Sequence, residues 1–185
     1  MKTIQSMIDA TYPDATAEAV QLCAYERTAL IALRVIILSG VSGSGKSTYA
    51  IQLWNGLEPG TYCKVVSADD FFITADGRYA FDASKLSEAH GACFRAFLTA
   101  IQDPFYSLVI VDNTNTTGEE IAPYVLGAQA FGRKVEIHTV AAALADCETR
   151  NLHGVGARTI EAQAARIAAR KLAPWWKHVD AKVKL

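Results

Sequence analysis

A parallel α/β sheet with helices on both faces is the fold class that this 185-residue sequence predicts, and three observations predict it. Apolar runs of strand length alternate with helical stretches along the chain. Two of the runs end in aspartates, and another ends in a glycine-rich turn that opens a helix. Strands alternating with helices imply right-handed βαβ units, hence a parallel sheet covered on both faces. The composition, 51% hydrophobic and 20% charged, is globular, and the length suffices for one domain with a sizeable core.

The elements follow in chain order. Asp14 can cap a helix over 15–33, with Ala19, Leu22, Cys23 and Leu30 near helical spacing, so residues 1–33 read as a helical extension. Val35, Ile36, Ile37 and Leu38 form a buried strand. A helix over 47–54 follows, then a Gly/Pro turn over 55–60. The strand "CKVVS" ends at Ala68-Asp69-Asp70, and 71–81 is a loop. A helix over 84–101, capped by Asp82 or Ser84, leads to the buried strand "SLVIVD" over 107–112. Residues 117–131 are mostly helix, with Pro123 in the first turns; 134–140 is a strand and 141–151 a helix. Two glycines predict a mobile segment over 152–157, an alanine-rich helix spans 159–172, and Pro174 opens a basic, aromatic tail over 174–185.

The turn "SGVSGSGKSTYA" carries the chemistry. Gly40, Gly45, Lys46 and Ser47 fit the phosphate-loop pattern G-x-x-x-x-G-K-[ST], between the strand and the helix that the pattern requires. Such a turn points backbone N–H groups at whatever sits at the helix N-terminus, and glycines let the backbone wrap a phosphate. Gly40, Ser42, Gly43, Ser44, Gly45, Lys46, Ser47 and Thr48 are therefore the expected nucleotide-binding residues. Lys46, expected to face solvent over the loop, would reach the β- and γ-phosphates of ATP, and the Ser47 hydroxyl would bind Mg²⁺.

Ligands of parallel sheets bind beyond the carboxyl ends of the strands, which directs attention to Asp69, Asp70 and Asp112. A phosphoryl acceptor needs a base near its hydroxyl proton and Mg²⁺ needs acidic or polar company, so two acidic strand ends can fill two roles. No N-K-x-D element is present to read guanine, and Asp112 is followed by Asn113 rather than the Glu usual in motor-type ATPases. Arg150 and Arg158 flank the Gly154/Gly156 segment, where fixed, fanned charges suit a lid that clamps a transferring phosphoryl group.

The net charge of −1 argues against a general nucleic-acid binder, but the charge is unevenly spread. From Arg150 onward eight Lys and Arg stand against Glu161 and Asp180, a local net of +6, which suggests a local anionic ligand or a solvated helix face. Cys23, Cys63, Cys93 and Cys147 lie far apart, with no C-x-x-C pair, so reduced thiols in a cytoplasmic protein are expected and a zinc site is not. No signal-peptide pattern or membrane-length apolar run is present, and no membrane partner is expected.

Together "GVSGSGKST", "SADDFF", "FDASKLSEAH", "VDNTNT" and "RNLHGV" resemble, in order and over about residues 34–172, the polynucleotide kinase family of P-loop kinases. The resemblance implies a kinase domain over 34–173 that transfers the γ-phosphate of ATP to a hydroxyl, usually the 5′-OH of DNA or RNA. It implies Asp69 as general base, Lys46 and Ser47 on phosphates and Mg²⁺, Asp112 near the metal, and Arg150 as the lid arginine. Family members often carry an arginine shortly after the paired aspartates to hold an acceptor phosphate; here Phe71 and Phe72 occupy those positions. With Asp70 they are the expected acceptor-binding residues, because aromatic rings can stack on a nucleobase. The partner expected is a nucleic acid, DNA ahead of RNA. Related kinases that phosphorylate hydroxymethylated bases such as 5-hydroxymethyluracil in DNA, kinases of small metabolites or nucleotide sugars, and a nucleotide-dependent switch remain open.

Overall fold

The computed structural model describes residues 33–151 and 154–183. The helix expected over 15–33 falls outside them except at residue 33, as do Cys23, Leu152 and His153. Among the described residues five strands form one sheet: β1 Arg34–Ser39, β2 Tyr62–Val66, β3 Tyr106–Asp112, β4 Lys134–Val140 and β5 Lys177–Ala181. Their order is β2-β3-β1-β4-β5, and every pairing is parallel. The helices are α1 Lys46–Asn55, α2 Leu86–Gln102, α3 Gly118–Ala130, α4 Leu144–Arg150 and α5 Ala157–Ala169. This is a P-loop kinase-like fold.

Period-two alternation along the central strands sends side chains to opposite faces. Val35 and Ile37 of β1, with Val109 and Val111 of β3, join the core under α2 and α3, where Phe97 is fully buried among Cys93, Ile121 and Val125. Ile36 and Leu38, with Leu108 and Ile110, pack instead with Ala50 of α1. α2 follows a short 3₁₀ turn in which Asp82, one of the two expected caps, accepts the Ser84 N–H; it caps that turn, and α2 itself starts after Lys85 with no side-chain cap. α3 starts where Thr117 accepts the Glu120 N–H, and Glu120 reaches back to the Thr116 N–H. Asp69, Asp70, Phe71 and Phe72 lie in a second 3₁₀ turn, Ala68–Phe72, rather than partly in a loop.

The C-terminal expectation needs correction. Residues 177–181 are not tail but the fifth strand, laid along β4 from Glu136 opposite Lys177 to Val140 opposite Ala181. α5 ends at Ala169 rather than at 172, because Arg170 is already extended. Among the described residues no helix is long and apolar enough to cross a membrane.

Candidate active site

The phosphate loop joins β1 to α1. Gly45 caps α1 at φ +94°, and Gly43 sits at φ +78° with its α-carbon so close to α4 that a Cβ would lie 2.0 Å from the Cys147 carbonyl oxygen. Only glycine meets both demands. The Tyr49 N–H makes the first α1 bond, to the Gly45 carbonyl, so the amides of Lys46, Ser47 and Thr48 precede the helix's own ladder and are available to an anion. Within this loop the Ser44 hydroxyl is buried and has no hydrogen-bond partner among the described residues.

Lys46 is not solvent-facing as the sequence led us to expect. It is 9% exposed, and its ammonium donates to the Gly40 and Val41 carbonyls at 3.0 and 2.9 Å. Burial pushes its pKa down, while the nearby Asp112 and Asp69 oppose that shift. A cation held under a glycine loop with incomplete compensation is prepared to meet phosphate oxygens.

The Ser47 hydroxyl donates to Asp112 Oδ2 at 2.8 Å, across 65 residues of sequence, and Asp112 is 7% exposed. A hydroxyl and a carboxylate side by side are hard oxygen donors of the kind that hold Mg²⁺ together with phosphates and water, so the donor set fits the metal that the loop pattern implies. The neighbouring strand end is tied to this one. Ser67 Oγ donates to the Asp112 carbonyl at 2.9 Å and accepts the Asp69 N–H, and Asn113 Oδ1 accepts the Ala68 N–H at 2.9 Å. Asp69 consequently faces the same cleft, a space of about 310 Å³ lined also by Ser42, Gly43, Gly45, Lys46, Ser47, Thr48, Asp112, Asn113, Thr114 and Arg150.

Asp69 accepts a 3.0 Å hydrogen bond from the Tyr79 hydroxyl. Asp70 does not line the cleft; partial desolvation pushes its carboxyl up to about 6, opposed by Lys64 and reinforced by Asp112 and Asp69. The two phenylalanines separate. Phe72 is 4% exposed and belongs to the core under the 3₁₀ turn, which corrects its expected role as an acceptor platform. Phe71 is 40% exposed, and Phe81, at 53%, stacks beside Tyr79 with centroids 6.4 Å apart. Arg150 reaches the cleft while within 3.5 Å of Asp146. Arg158 is exposed and outside the cleft lining, so the structure does not bring it to the nucleotide-binding residues.

Several site residues escaped sequence reasoning. Gln163 bonds the loop at Ser42; Arg166 Nε donates to Thr116 Oγ1 at 3.0 Å; Arg170 donates to Ser39 Oγ and, at 3.1 Å, to the Asn115 carbonyl. Three of the eight C-terminal cations thereby have partners within the chain, Lys177 being paired with Glu136. The available signal was Gln163 and Arg166 three positions apart on one face of an alanine-rich helix, with Arg170 just past its end.

Comparison with known proteins bears on this geometry. A family model described as AAA domain (AAA_33) matches residues 35–173. The human NEDD4-binding protein 2 is 34% identical over 110 residues, 60% of this chain; the chain spans about 6% of that relative's length. A sugar kinase from Janibacter sp. HTCC2649 superposes with a TM-score of 0.55 at 18% identity, covering 82% of this chain and 86% of that one. A chain of the Pnkp1/Rnl/Hen1 complex superposes with a TM-score of 0.52 at 18% identity, over 65% of this chain and 39% of that one.

Proposed function

The chain belongs to the AAA_33 family of AAA domains, and from that premise we propose that it is an ATP-dependent kinase that phosphorylates the 5′-hydroxyl of a polynucleotide. One observation carries the reading: Lys46, the Ser47–Asp112 pair, Asp69 and Arg150 line a single cleft. A phosphate-binding switch has use for Lys46, Ser47 and Asp112, but none for a second carboxylate, Asp69, lining the same cleft.

The amides of 46–48 and the Lys46 ammonium bind the triphosphate of ATP and orient its terminal phosphoryl group. Ser47 and Asp112 would hold Mg²⁺, which when bound neutralises charge on the phosphates. Asp69 takes the proton of the acceptor hydroxyl, whose oxygen forms the new bond to the terminal phosphorus as the bond to ADP breaks. Arg150 supplies fixed positive charge where negative charge spreads over the transferring oxygens. The polynucleotide assignment rests on the flat, exposed rings of Phe71 and Phe81, grouped with Tyr79 beside Asp69, which suit a nucleobase next to the reacting hydroxyl.

The test offers γ-labelled ATP with three acceptors: a 5′-OH oligonucleotide, an end-blocked DNA duplex carrying 5-hydroxymethyluracil, and a set of free nucleosides and sugars. Label on the oligonucleotide ends is the expected outcome. Label confined to the blocked duplex would make the chain a base-modifying kinase, and label confined to free small molecules would refute the polynucleotide reading.

A further inference from the structure

The tip of the phosphate loop is gripped from outside the cleft. Gln163 on α5 is 7% exposed, and both polar atoms of its side chain meet one residue 121 positions away. Its Oε1 accepts the Ser42 N–H at 2.8 Å, and its Nε2 donates to Ser42 Oγ at 3.2 Å. The next residue, Gly43, is pressed against the Cys147 carbonyl of α4. The preceding one, Val41, is buried with Cys147 and Ile160 in a separate apolar cluster that Val155, Ala164 and Ile167 complete. Residues 41–43 are therefore wedged between α4, which ends in Arg150, and α5.

We infer that Gln163 is a positioning residue for nucleotide binding: it fixes the Ser42 peptide, so that the loop amides beyond it stay aimed into the cleft, and it ties the loop's shape to α4 and α5. The inference rests on reading the cleft as a nucleotide site. Its physical ground is that a glycine-rich loop is floppy on its own, and holding it in the binding shape beforehand removes an ordering cost from association. A primary amide can accept from the Ser42 N–H and donate to the Ser42 hydroxyl at once, which neither a carboxylate nor an ammonium can do. An apolar side chain of equal size would fill the space and leave the part-buried Ser42 N–H without this partner. A consequence is that the Ser42 amide serves the clamp rather than a phosphate.

The experiment measures Mg·ATP affinity by calorimetry, without any acceptor, and hydrogen exchange of the peptide spanning 40–47 in ligand-free protein. Gln163→Met keeps the volume and removes both bonds. It is expected to weaken ATP binding about ten-fold, the size of one or two net hydrogen bonds, and to speed exchange in the loop while lowering the melting temperature by no more than about 5 °C. Gln163→Glu keeps the acceptor for the Ser42 N–H, so loop exchange should stay near wild type while the added charge weakens ATP binding. Wild-type ATP affinity and loop exchange in Gln163→Met would overturn the inference. If that variant does not fold, wild-type ATP affinity and loop exchange in Gln163→Ala would do so. A wild-type protein that binds no ATP would bring down the nucleotide reading together with this inference, an outcome distinct from a wild type that binds and variants that bind equally.

Discussion

Lys46 shows how far a single residue's role can be read from spacing alone. The pattern around it identifies the phosphate-binding lysine, because glycines, lysine and serine at those positions have few other uses. It does not reveal that the ammonium sits buried on the Gly40 and Val41 carbonyls, since those contacts depend on how tightly the loop closes. The consequence is testable. Burial lowers the pKa of Lys46, so the folded chain carries this charge at a cost. Lys46→Met should abolish phosphoryl transfer yet leave the melting temperature at pH 8 no lower than wild type within a few degrees. It should also cancel most of the thermal stabilisation that Mg·ATP confers on the wild type. A large loss of stability in the ligand-free variant would mean that the two carbonyl bonds outweigh the desolvation. Gln163 is the opposite case. No local pattern marks it, because its partner Ser42 is distant in sequence and only the packing of α5 brings them together.

At the level of elements, β1 and β3 are legible as apolar runs, the mark of strands buried on both faces, and β2 and β4 as short valine- and isoleucine-containing stretches between turn signals. β5 is not. Its sequence, KHVDA, holds a lysine, a histidine and an aspartate, and most of it is exposed, as befits an edge strand that charged residues keep from pairing further. What marks its place is Glu136 on β4, which lies opposite Lys177 and accepts from it at 2.7 Å, with His138 Nε2 at 2.9 Å and Arg34 at 3.6 Å. Burial alone would raise the Glu136 carboxyl, but these partners hold it down at about 2. A carboxylate depressed in the folded state contributes stability above its unfolded pKa and loses it as the pH falls through the folded value. Glu136→Gln should therefore melt a few degrees below wild type at pH 7, and the difference should close between about pH 4.5 and pH 2. A gap that persists unchanged at pH 2 would show that shape rather than charge matters at this position.

For the whole molecule, the sheet order places β1 and β3 side by side, so the phosphate loop at the end of one meets Asp112 at the end of the other. β2 lies next to β3, which brings Asp69 to the same end. That arrangement follows from parallel βαβ winding, and it is why two acidic strand ends and one loop can be grouped from the sequence alone. The acceptor side was less legible. Adjacent phenylalanines look alike in sequence, and only the 3₁₀ turn separates a core ring, Phe72, from an exposed one, Phe71. The central claim is that this cleft transfers phosphate with Asp69 as base. The most direct measurement is transfer of label from γ-labelled ATP to a 5′-OH oligonucleotide by the wild type and by Asp69→Asn, with ATP affinity measured on both. The account predicts labelled ends with the wild type and a kcat lowered by roughly 10²–10⁴ in the variant, at nearly unchanged ATP affinity. Wild-type turnover in Asp69→Asn, or a wild type that binds Mg·ATP and transfers label to no hydroxyl, would contradict it.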